Sequence, residues 1–142
     1  GWRYHMSDVM SAIGRVQLQR FEAEFRPIRI ALARKYRSQL AQIPGVDLFE
    51  ADLGPVVPHI QPIRISNNKR DFIRQRLLER DVEVGIHYKP NHLLTKFGNS
   101  QPPIPVSENL YHDVMSLPLH PDVTDDNIDF IVGVIKKSMK LK

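Results

Sequence analysis

One short stretch, Gly85-Ile86-His87-Tyr88-Lys89-Pro90-Asn91-His92, gathers imidazole, phenol, ammonium and amide groups. Such groups donate, accept or move protons, and binding residues concentrate on loops held by a rigid scaffold. Zinc is the first chemistry that two close histidines suggest. His87 and His92 are five positions apart with no acid or thiol nearby, whereas a helical ligand pair is spaced by four, so the pattern argues against a metal. Solvated loop polarity is the plain alternative. A second stretch, Gly1-Trp2-Arg3-Tyr4-His5-Met6-Ser7, leads into a helix start. The free N–H groups there suit an anion, and Arg3 would add a forked donor for phosphate. On pattern alone, a frayed terminus with an ordinary Ser cap is favoured. The third, Met115-Ser116-Leu117-Pro118-Leu119-His120-Pro121, reads as a buried strand and a turn, with His120 more readily structural than functional. Glycine-rich phosphate loops, G-x-S-x-G and H-E-x-x-H are absent.

The elements that must hold these stretches follow from periodicity. Ser7 caps a helix whose apolar positions Val9, Ile13, Val16, Phe21 and Phe25 recur near helical spacing. Pro27 kinks that helix or ends it and starts another, and Ile28, Ala31, Leu32, Tyr36 and Leu40 continue the stripe to Pro44-Gly45. Strands are expected at Val46–Phe49, His59–Ile65 and Val82–His87. Pro62 lacks a backbone donor and so points to an edge or a bulge, and Gly85 would allow close approach. Asn67-Asn68 opens a helix with Phe72, Ile73, Leu77 and Leu78 buried. Positions 88–105 form a long irregular loop, of the kind that is usually functional or disordered. A helix over Val106–Val114, a strand over Met115–Leu119 and a Thr124-capped helix with Ile128, Ile131, Val132, Ile135 and Met139 inward complete the chain. The expected fold is a single α/β unit over 1–142: a long kinked helix or helix pair over 1–44, then over 45–142 a small sheet covered mostly on one side by helices.

Composition sets outer limits. The 142 residues suffice for one domain, and 42% hydrophobic with 25% charged residues is the balance of a soluble globular chain. No apolar run is long enough for a membrane helix. The absence of cysteine excludes disulfides, thiolate metal sites and a Cys nucleophile, and fits a cytoplasmic location. The net charge of +4 permits nucleic-acid binding, but the cations are interspersed with acids and no binding motif is present, so no nucleic acid is expected as partner. The basic tail, Lys136 to Lys142, reads as a solvated helix end. Without an initiator Met, the chain reads as a fragment, a processed chain or an isolated domain.

Five blocks then fall into one order. Gly1-Trp2-Arg3-Tyr4-His5-Met6-Ser7-Asp8 with Ala12 to Leu18 resembles G-x-N-x-R-M-[ST]-x-x-x-A-A-x-G-x-x-Q-L. Arg26 to Tyr36 resembles R-x-x-I-A-x-x-Y, and His59 to Ile65 resembles H-x-x-x-[IV]-R-[IV], with Arg64 in place. Residues 87–92 resemble H-Y-x-P-x-H, and Ser116 to Pro121 resembles S-L-P-x-x-P. Together they resemble the C-terminal part of the DegT/DnrJ/EryC1/StrS family of pyridoxal-phosphate (PLP) sugar aminotransferases.

The resemblance implies the C-terminal small domain of a fold-type I PLP aminotransferase. In such a homodimer PLP is carried on a lysine, is loaded with an amine, usually from glutamate, and passes it to a keto group of a nucleotide-linked sugar. It implies Arg3 and His5 as cofactor-binding, standing where the family has Asn and Arg near the neighbouring subunit's cofactor phosphate. It implies His87, Tyr88 and His92 as substrate-binding. The family's lysine lies upstream in an S-x-x-x-K setting. Ser66-Asn67-Asn68-Lys69 copies that spacing but opens a helix of the wrong domain. No catalytic residue is therefore assigned, no metal is expected, and the chain alone is expected to bind no PLP and to be inactive. The alternative is a non-catalytic dimerisation or binding module derived from the family.

Overall fold

The computed structural model describes residues 4–97 and 102–141. Arg3 and part of the expected 88–105 loop thus lie outside the described residues. Helix α1 spans Asp8–Arg20 and α2 spans Arg26–Leu40, joined through Phe21–Phe25 without a break. Ser7 caps α1 by accepting from the Met10 N–H at 3.3 Å. Pro27 does not end the helix. The five residues before α2 widen into a π turn, in which the Arg26 N–H reaches back to the Phe21 carbonyl. Proline lacks an N–H and its ring crowds the carbonyl four residues back, and the wider turn absorbs both.

Strands β1 (Val46–Leu48), β2 (Gln61–Ile65) and β3 (Val114–Leu117) form an antiparallel sheet in that order. Pro62 therefore lies on the central strand, not at the edge or bulge that its missing donor suggests. The register explains it. Pro62 faces Ser116 of β3, but Ser116 exchanges both of its backbone bonds with Gly85, at 3.0 and 2.8 Å. Pro62 must then address the β1 side, and β1 pairs only with positions 63–65. Its missing donor looks past the end of β1, a local edge inside a central strand. The free Pro62 carbonyl accepts from the Gln61 side chain.

The strand expected over 82–87 contracts to one bridge, Gly85 to Ser116. Beyond it the His87 ring folds back over Gly85, where a Cβ would collide with the imidazole. The ladder cannot continue through a position that a side chain has covered.

Helix α3 (Arg70–Leu78) follows a left-handed turn at Asn67 and Asn68, with φ of 64° and 56°, which asparagine accepts readily. Phe72 and Leu78 are exposed rather than buried, and Arg70, Ile73 and Leu77 face inward. A 3₁₀ turn at Asn91–Leu93 precedes α4 (Pro105–Asp113), and α5 spans Asp125–Lys140. Thr124 and Asn127 close a reciprocal capping box on α5.

Strand alternation separates two faces. Ile63, Ile65, Met115 and Leu117 meet the apolar sides of α2, α3 and α5 and form the core with Tyr36, Leu40, Ile128 and Ile135. Pro62, Arg64, Val114 and Ser116 lie on the other face, under α4 and the loops. The α/β reading holds, with α4 as added cover on the second side. α1 departs from it: none of its residues is buried, and Val9, Ile13 and Val16 are all more than half exposed.

Candidate functional site

The second sheet face carries a cleft of about 430 Å³. Pro62 and Val114 form its sheet side, Tyr111 of α4 one wall, and Phe49, His59 and the His87-Tyr88 pair the rest. The Gly85 bridge fixes where the chain leaves the sheet, and His87 and Tyr88 follow at once. Their rings meet edge-on with centroids 4.7 Å apart. Tyr88 is 76% exposed, so its phenol is available to a ligand, whereas His87 Nδ1 is enclosed and lacks a hydrogen-bond partner. A buried polar atom without a partner is costly, which marks His87 as held by its surroundings rather than by its own bonds.

His92 lines a neighbouring cleft of about 440 Å³ with Pro90, Asn91, Phe97 and Ile104. Ser107 lines both clefts, so the two expected loop sites stand on either side of the first turn of α4. His92 Nε2 is 2.8 Å from Glu108 Oε1, and the same oxygen accepts the Ile104 N–H at 2.9 Å. These bonds hold the Glu108 carboxyl below the ordinary glutamate range, the Ile104 N–H first and His92 second. His92 thus ties the 3₁₀ turn to the start of α4.

The motif at 85–92 puts His87 and Tyr88 side by side but says nothing of their neighbours. His59 heads one of the five family-like blocks and is a readable signal. Tyr111 and Glu108 belong to α4, and nothing local announces that α4 folds over this face. A buried cation also escapes the sequence patterns. Arg70 is 4% exposed, reaches the Val114 carbonyl at 3.4 Å and lies over the Tyr111 ring at 5.7 Å. Its Nε is 2.9 Å from the Asp71 carboxylate but is not aligned for a hydrogen bond. Arg64 pairs with Asp113 at 3.0 Å, pinning the end of α4 to β2.

His5 stands exposed just ahead of α1, whose main contact among the described residues is with its own π turn. It is not joined to the cleft. Lys69 donates to the Met139 and Leu141 carbonyls at 2.8 and 2.6 Å, capping the end of α5. Lys35 is committed to Asp125 and Asp129, and Lys89 is exposed. Among the described residues no cluster of His, Asp or Glu could hold a metal, and no helix is long and apolar enough to cross a membrane.

Known proteins share this fold. The spore coat polysaccharide biosynthesis protein SpsC of Bacillus subtilis is 26% identical over 150 residues, covering 99% of this chain and 38% of that protein. The aminotransferase TlmJ of Streptoalloteichus hindustanus superposes with a TM-score of 0.83 at 26% identity, over 98% of this chain and 38% of its own. Spr1654 of Streptococcus pneumoniae, described as a sugar aminotransferase and solved in PLP and PMP forms, shares the fold at a TM-score of 0.86 and 24% identity, over 96% of this chain and 36% of its own. The chain spans under two fifths of the length of these relatives. The model of the DegT/DnrJ/EryC1/StrS aminotransferase family matches residues 1–136, and this chain belongs to that family.

Proposed function

We propose that the chain is the C-terminal, small-domain portion of a cytoplasmic, homodimeric, PLP-dependent sugar aminotransferase, and that it supplies the substrate side of the site. The observation that carries this reading is the cleft on the second sheet face, into which the His87-Tyr88 turn brings an exposed phenol beside His59 and Tyr111. Aromatic walls with a few hydrogen-bonding tips suit a nucleotide-linked sugar, whose base stacks and whose hydroxyls need donors and acceptors. His92 serves from the adjoining cleft. His5, with Arg3, would reach the cofactor phosphate of the neighbouring subunit.

PLP, when bound, carries the amino group from a donor such as glutamate to the keto sugar. It needs a lysine standing in a pocket. Lys35 and Lys69 are committed elsewhere, and Lys89, Lys96, Lys136, Lys137 and Lys140 are exposed, which supports a chain that does not carry PLP by itself. The carrier lysine would come from the remainder of a longer protein. The 142-residue chain mixed with PLP should give no yellow, borohydride-reducible adduct. Such an adduct would sink that part of the reading.

In the full-length protein, Tyr88→Phe should raise KM for the nucleotide sugar by about tenfold, the value of one well-placed hydrogen bond, and leave the cofactor absorbance unchanged. An unaltered KM would remove Tyr88 from the site. The exposed stripe of α1 favours a second reading, a dimerisation module without catalysis. Sedimentation of the isolated chain at several concentrations tests it, and a strict monomer counts against it.

A further inference from the structure

The outer surface of the α3–α5 layer carries a groove of about 640 Å³, on the side of the sheet away from the cleft. Its floor is apolar: Phe130, Val134 and Leu141, with Phe130 and Leu141 nearly half exposed. Its rims are basic, Arg76 on α3, Arg80 in the turn after it, and Lys137 and Lys140 on α5. Asp129 and Glu79 adjoin them, while Asp81, Glu83 and Asp122 line a separate hollow beyond Phe130. Asp129 lines the groove but is bonded to Lys35 at 3.0 Å and Gln39 at 2.7 Å, and its carboxyl is held below the ordinary range, by Gln39 first and then Lys35. Glu79 alone sits between Arg76 and Arg80, at 3.4 and 3.9 Å. The rims therefore keep an uncancelled positive charge. The carbonyl end of α5, which would repel an acid, is occupied by Lys69.

We propose that this groove docks an acidic amphipathic helix of a partner protein. Along α5 it runs from Phe130 to Leu141, roughly 17 Å or three helical turns, which suits an elongated occupant better than a small ion. An apolar floor between two cationic rims complements a helix with one apolar stripe flanked by carboxylates. Gly133 opens a notch at mid-groove, since a Cβ there would meet no atom within 4 Å. The inference is independent of the aminotransferase reading, because the sheet separates groove from cleft and the two share no residue.

The test uses the full-length protein and a fluorescent helical peptide of about five turns, with leucines at i, i+3, i+4 and i+7 flanked by glutamates. Anisotropy should show binding that weakens as salt is raised. Arg80→Glu with Lys137→Glu should weaken it by at least about tenfold, and Arg80→Lys with Lys137→Arg should retain it. Gly133→Leu should also weaken it about tenfold, by filling the notch from a Cβ that meets no neighbour; this variant decides the question if the charge reversal unfolds the protein. Equal binding of a peptide with lysine for every glutamate would overturn the proposal. So would wild-type affinity in the Gly133→Leu variant, or binding confined to a DNA oligomer or to phosphatidylglycerol vesicles.

Discussion

The two halves of the first long helix both carry an apolar stripe and meet opposite fates. α2 buries Leu32, Ala33, Tyr36 and Leu40 against the sheet and α5, while α1 buries nothing. Polar contacts divide the same way. Arg26, Arg29 and Arg37 of α2 donate to the carbonyls of Gly54, Pro58 and Phe49, holding the 49–58 segment along the helix. Lys35 and Gln39 reach Asp129 of α5. On α1 and the π turn the contacts stay local: Arg20 meets Glu24 and the Phe25 ring, and Glu22 meets Arg26. A helix of this length takes its stability from packing, so α1 persists as an extension of α2. Amphipathic spacing reveals that a helix has an apolar face, not whether the chain covers that face.

Substitutions sharpen the contrast, and for the isolated chain they are measured by urea unfolding. Leu40→Ala should cost about 2–5 kcal/mol, because Leu40 is fully buried. Arg37→Ala should cost about 1.5 kcal/mol, the value of a charged donor on a backbone carbonyl, here at 2.8 Å. Tyr36→Phe should do the reverse and stabilise by about 1 kcal/mol. The Tyr36 hydroxyl is buried without a partner, and burial holds its ionisation well above the ordinary phenol range. A loss of stability there would mean that the hydroxyl is bonded in solution. Ile13→Ala on α1 should change stability by less than about 0.5 kcal/mol, and a cost like that of Leu40 would break the comparison.

Acid should loosen α2 from α5 with a defined sign. The Asp129 carboxyl is depressed in the folded chain, so its contribution is present above the unfolded pKa and fades as pH falls through the folded value. Stability should therefore decline below the ordinary carboxylate range. Asp129→Asn should flatten that decline, and an unchanged acid limb would deny Asp129 the role.

Where local chemistry decides, the sequence is readable. Ser7 and Thr124 start their helices because each side chain accepts from an N–H three residues on. Ile128, Ile131, Val132 and Ile135 go inward because their spacing admits one solution. Pro62 misleads because its place depends on where a different strand stops. The 82–87 segment misleads because its β-rich composition cannot reveal that His87 lies over Gly85. In the site, His87 and Tyr88 are legible as a motif. The Glu108 partner of His92 is not, since sixteen residues separate the two and only the fold of α4 closes the distance.

The π turn has a rotational consequence. On an ideal uninterrupted helix, Val9, Ile13 and Val16 would point roughly opposite to Leu32, Tyr36 and Leu40. One extra residue in the turn advances the phase by about 100°, leaving the two apolar stripes about a quarter turn apart. The rod thus presents two apolar faces at an angle. The face on α2 is already covered. A partner on α1 would approach from the flank, on a bearing set by the five residues of the π turn.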